Sequence, residues 1–154
     1  MLAAWLGAAL FFGAVVAPAA FGVLRSFGLP NASEIAGSIV TRTLGVINVA
    51  GFVVALLLLV TALLRRHAQS RLSLIIEFAC LGVIALTTAL GHWWIAARLR
   101  TLRAAMELPI DQIAAADARR IEFNALHGYS VKAMGIGMIA GLLALVLIGR
   151  NLRH

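Results

Sequence analysis

Cysteine, acidic residues and lysine are all scarce in this 154-residue sequence, and each shortage removes a class of answer. The single cysteine, Cys80, cannot close an internal disulfide or supply a Cys-x-x-Cys metal site, and it says nothing about redox compartment. Midway along an apolar run, its expected role is that of a small buried apolar group. Six Asp+Glu stand against 13 Lys+Arg, a formal charge of +7. The cations do not form a nucleic-acid footprint; they gather at the ends of apolar runs, where headgroup phosphates would meet them. Charged residues make up 12% of the chain and apolar ones 62%, with a mean hydropathy of +1.00. A soluble domain is about a quarter charged and half apolar, so a soluble globule is excluded. The apolar runs also lack the two-residue alternation of barrel strands. No basic segment precedes the first run, which outlasts a secretory-signal core and reads as a retained helix. No lipidation motif closes the C-terminus. Arginine far outnumbers lysine and alanine is abundant, which points to a GC-rich bacterial genome and hence to a bacterial inner membrane.

What is present is four apolar runs of membrane length, roughly 2–24, 44–64, 72–95 and 128–149. About 20 apolar residues cross a ~30 Å hydrocarbon core as a helix. Only helices or closed barrels satisfy their backbone groups in lipid. The expected fold is therefore all-α, an integral membrane four-helix bundle in one domain, with a short extramembrane helical hairpin over about 96–127. Arg25, the group Arg65, Arg66, His67 and Arg71, and the group Arg150, Arg153 and His154 fall at run ends. Trp93 and Trp94 are expected to mark one interface and Trp5 the other. Pro18 should kink the first helix. Asn31-Ala-Ser-Glu34 has the form of a capping box, so a helix should start there. Leu108-Pro109 should break the helix leaving the third run, with a new helix starting near Asp111. Lys and Arg counts favour the longer connections inside, charge density the reverse, so orientation stays open.

Polar residues within the runs are expensive and need a reason. Asn48, His92, His127 and Ser130 lie at similar depth, toward the first and third connections, and form a candidate polar cluster. Residues 127, 130, 134, 137 and 141 share a helical stripe, which predicts that His127 and Ser130 face the interior. Lys132 should snorkel outward. Glu77 is a candidate intramembrane acid, paired with a basic group such as Arg66, Arg71 or Arg150, or else protonated. Ser130 near His127 lacks a strained nucleophile turn and an orienting acid, so no catalytic arrangement emerges. His92 and His127 at similar depth could ligate a haem axially, and Met134 with Met138 could hold copper. Hydrogen-bonded packing is the plainer role for two such histidines.

The run Trp5-Leu-Gly…Phe11-Phe-Gly-Ala-Val-Val-Ala-Pro18-Ala-Ala-Phe21, the Ala36-Gly37 pair, and above all Phe123…Leu126-His127-Gly-Tyr-Ser130 resemble the TMEM205-like (DUF4149) family of small membrane proteins. The last matches that family's Phe-x-x-Leu-His-x-x-Ser. Lys132-Ala-Met-Gly departs from it, where the family continues with apolar residues and an Asn. The resemblance implies a four-helix membrane bundle without an established activity, with some members associated with drug resistance. The architecture is also similar to that of four-helix families handling haem, porphyrin or copper, an analogy of fold. The sequence thus predicts a non-catalytic membrane protein, an accessory or interaction subunit contacting the lipid bilayer and other membrane subunits or a homo-oligomer. The alternative is a haem- or metal-binding, redox-active protein using His92 and His127.

Overall fold

A computed structural model describes residues 1–66 and 70–151, and is helical throughout except for connections. His67, Arg153 and His154 lie outside the described residues. Helix α1 spans Leu2–Ser26, α2 Ala32–Leu64, α3 Arg71–Ala104 and α4 Ala118–Asn151. All four are long and apolar enough to cross a membrane, so the chain is an integral membrane four-helix bundle. Among the described residues there is no strand.

Two helices carry a wider, π-helical turn. In α1 it covers Phe12–Val16, where the Ala17 amide donates to the Phe12 carbonyl. Pro18 follows at once and has no amide to donate. The wide turn and the proline together divide α1. Its first part buries Leu2, Trp5, Leu6 and Ala9 against α2 and α4; past Pro18 it buries nothing and leans on α2. In α3 the wide turn covers Leu90–Ile95 and contains His92.

The main core lies where all four helices meet. Trp5, Leu81, Ile84, Ala55 and Ala144 are among its most buried members. Trp5 was expected at an interface; it is instead 5% exposed in this core. Its ring fits because glycine stands on both facing helices. A Cβ at Gly51 would sit 2.5 Å from Trp5 Nε1, and one at Gly141 would sit 3.1 Å from Trp5 Cζ3. Buried indole N–H needs an acceptor, and Trp5 Nε1 donates to the Ile47 carbonyl at 3.0 Å. Trp93 and Trp94 are 54% and 60% exposed.

A second, smaller core lies toward the connection between α3 and α4, formed by Ile95, Leu102, Met106, Ile113 and Leu126. It lies under residues 105–117, which join α3 to α4. The helix expected to begin near Asp111 is only a 3-10 turn at Ile110–Gln112. The long helix starts at Ala118, after Asp117, whose carboxylate accepts from the Arg119 amide at 2.8 Å. That is an N-cap bond, which fixes the start better than any nearby residue can. At the other expected start, α2 begins after Asn31, but no side chain caps it. Glu34 turns away from the capping box to meet Arg103 on α3, with Arg103 Nε donating to its Oε1 at 3.1 Å. A charged partner outcompetes a backbone amide.

Candidate functional site

The two candidate polar centres lie in opposite halves of the bundle. The first lies on the α2–α3 seam, toward the first and third connections. Asn48 on α2 is 5% exposed, and its side-chain amide lies over Gly91, where a Cβ would come within 2.9 Å of Nδ2. His92 on α3 answers this by laying its ring over Gly45 of α2. Each glycine thus receives a polar side chain from the facing helix. The His92 ring also meets Trp93 edge-on, centroids 5.0 Å apart, and Trp93 meets Phe52 at 5.1 Å. His92 Nδ1 is buried and, among the described residues, has no hydrogen-bond partner. Nearby, Thr87 and Thr88 spend their hydroxyls on carbonyls of their own helix, Val83 and Ile84.

His127 does not join this seam. It is exposed, one position around from Leu126, which is buried in the smaller core. The inward face of α4 carries Leu126, Gly137, Ala140, Gly141 and Ala144. A stripe drawn back from 137 and 141 misplaces its far end by one residue, and one residue is 100° on a helix. Phe123 and Leu126 of the Phe-x-x-Leu-His-x-x-Ser motif are packing residues of the hairpin. Ser130 is half-buried, and Lys132 is exposed with its ammonium 5.8 Å from the Tyr129 ring. With His92 turned to α2 and His127 on the outside of α4, the pair is not arranged as two axial ligands. Met134 and Met138 pack against the main core as apolar side chains. Among the described residues, no three His, Cys, Asp or Glu side chains form a metal-sized group.

The second centre is Glu77 on α3, fully buried in the half nearest the chain termini. Among the described residues its ion-pair partner is Arg65, at the end of α2: Nη2 lies 3.5 Å from Oε1. That is the outer limit of a hydrogen bond, so the contact is mainly one of charge. Arg65 is 36% exposed on its side chain and also reaches the Thr61 carbonyl. Among the described residues Glu77 Oε2 has no hydrogen-bond partner. Helical periodicity does not say which of the arginines near the end of α2 turns inward, and so does not single out Arg65.

At the hairpin between α3 and α4 the chemistry is ordinary. Arg98 holds Glu122 across α3 and α4 with two hydrogen bonds, 2.7 and 3.1 Å. The connection 105–117 is pinned by arginines donating to main-chain carbonyls: Arg103 to Leu108, Arg119 to Ala105, and Arg120 to Ile113. Arg119 also holds Asp117 and pulls its carboxyl down to about 2, chiefly through the side-chain hydrogen bond.

The sequence profile described as a domain of unknown function (DUF4149) matches residues 1–107, and the chain belongs to that family. The match takes in α1, α2 and α3; the histidine motif on α4 lies beyond it. No curated protein and no solved structure matches the chain.

Proposed function

We propose that this DUF4149 protein, TMEM205-like in its histidine motif, is a non-catalytic accessory subunit of a bacterial inner-membrane assembly, docking through its extramembrane hairpin. The observation that carries this reading is the connection 105–117. It has its own small core, and three arginines fix its backbone carbonyls. A loop serving only to join two helices needs no such construction. At its tip Leu108 is 52% exposed on a backbone held by Arg103. A fixed loop presenting an apolar side chain loses little entropy on docking.

A photo-crosslinking residue at position 108, in cells expressing the full chain, tests this. One discrete adduct at 108, with none from the lipid-facing position of Ile139, is expected. Purification in mild detergent should then give a particle whose protein mass, with bound detergent subtracted, exceeds that of the 16.3 kDa chain. A monomer without adducts at 108 would overturn the reading. So would a Soret band lost in His92→Ala, which would put a haem on the unpartnered nitrogen and favour the cofactor alternative.

A further inference from the structure

We propose that the face of α2 formed by residues 39–47 binds one anionic phospholipid, with Arg42 on its phosphate and an acyl chain along Val46 and Ile47. Ile39, Arg42, Thr43, Val46 and Ile47 line an open groove there. Their spacing puts them on one side of the helix over two turns. Ile39 is 47% and Val46 68% exposed, so the groove is open to an occupant along its length. Its floor is fixed from inside, because the Ile47 carbonyl accepts the Trp5 indole N–H.

Depth and charge choose the occupant. Residues 44–64 carry no charge, and Arg42 stands just outside that run. At 1.5 Å per residue Arg42 falls about 3 Å outside that uncharged stretch, while Val46 and Ile47 fall inside it. Among the described residues that line the groove, Arg42 alone is charged. Among the described residues it has no ion-pair partner, whereas Arg98, Arg103 and Arg119 are held by Glu122, Glu34 and Asp117. Thr43 adds no donor to the site, since its hydroxyl is spent on the Ile39 carbonyl. A site with an apolar trough, one unpaired guanidinium and no carboxylate suits a phosphate-headed, net-negative lipid.

The test uses the full chain extracted from bilayers of phosphatidylglycerol and phosphatidylcholine with identical acyl chains, and native mass spectrometry of retained lipid. Wild type should keep one phosphatidylglycerol in preference to phosphatidylcholine. Arg42→Ala should lower that retention about fivefold, the effect of one basic residue at a membrane surface. Arg100→Ala, which removes an equal charge outside the groove, should leave it unchanged. Val46→Trp keeps the charge and fills the trough, and should lower retention too. Equal losses in Arg42→Ala and Arg100→Ala would reduce the effect to diffuse attraction and overturn the site. So would equal retention of the two lipids by wild type, or full retention in Val46→Trp. Helical circular dichroism on each variant confirms that the bundle is intact.

Discussion

The lipid-level bundle and the hairpin outside it use the same residues to opposite ends. Both contain an arginine–carboxylate pair between neighbouring helices. In the hairpin, Arg98 and Glu122 meet in bidentate geometry at 2.7 Å with both side chains well exposed. In the bundle, Arg65 reaches a fully buried Glu77 at only 3.5 Å and leaves one oxygen unpartnered. The better-formed pair is the less consequential one. Water already solvates exposed ions, so pairing them gains little. Lipid offers Glu77 no alternative, so even a loose partner matters. Packing differs in the same way. The hairpin buries Leu, Ile and Met under a loop, as a soluble domain does. The bundle buries Leu81 and Ile84 as well, but at its closest helix contacts it does without a side chain, and its glycines admit Trp5, Asn48 and Thr87. Where lipid is as apolar as leucine, close approach and internal polar contacts replace the hydrophobic drive.

The sharpest way to break this contrast is to restore a side chain where the bundle has none. Gly51→Ala places a methyl 2.5 Å from Trp5 Nε1 and 2.9 Å from Thr88 Cγ2, with no flexible end to yield. We expect a loss of about 3 kcal/mol, the upper end of overpacking costs. Gly82→Ala, with nothing within 4 Å, is the control and should cost nothing. Equal stability of the two variants in detergent unfolding would show that the bundle is looser than its glycines imply. Next in size is Arg65→Ala. Stranding a buried carboxylate costs ~3–5 kcal/mol, but Arg65 is partly exposed and its contact long, so about 2 kcal/mol is expected. Glu77→Gln removes the charge itself and should cost less than Arg65→Ala. The reverse order would mean that Glu77 has a partner of greater weight than Arg65. Arg98→Ala should produce no measurable change by the same assay.

The four helices were legible because long uncharged runs have one solution in lipid. The helix start after Asn31 was legible from its polar cluster, although Glu34 turned out to serve Arg103. What escaped were features fixed by a second helix. Trp5 near the start of an apolar run reads as an interface residue until Gly51 and Gly141 are seen to lie at its depth. Two glycines on different helices, facing one large ring, are the signal that would have found it. His127 failed for a smaller reason. A stripe extended four turns from 141 carries its phase error with it, while Leu126 and Ala144, five turns apart, would have set the face correctly. Asp117 was passed over for Asp111 because the break was referred to Pro109, whereas the intervening segment is held open by arginine side chains.

A smaller perturbation probes the bundle core without changing its shape. Trp5→Phe keeps an aromatic ring between Gly51 and Gly141 and deletes only the bond to the Ile47 carbonyl. That carbonyl is within α2 and retains its own helical partner, so nothing is left stranded. We expect a loss of about 1 kcal/mol, the net worth of one hydrogen bond. A loss several times larger would assign Trp5 more than packing and one bond.

The smallest expected effect belongs to the hairpin and depends on pH. Arg119 holds the Asp117 carboxyl down at about 2 in the folded chain, against an ordinary value of about 3.9. A lowered folded value means that the native state prefers the carboxylate. Its contribution is complete above about pH 4 and is lost as pH falls toward 2, the range in which the folded carboxyl takes up its proton. Protonation weakens the bonds to Arg119 and to the Arg119 amide, so the first turn of α4 should fray while the lipid-level helices stay closed. Hydrogen exchange at residues 118–121, followed between about pH 5 and 2 after correction for intrinsic rates, reads this locally. Faster exchange there in wild type, and a profile already open and pH-independent in Asp117→Asn, is the expected pair of results. If exchange rises equally at Gly51 and Ala55, the hairpin and the bundle open as one unit, and the division between them holds for packing but not for stability.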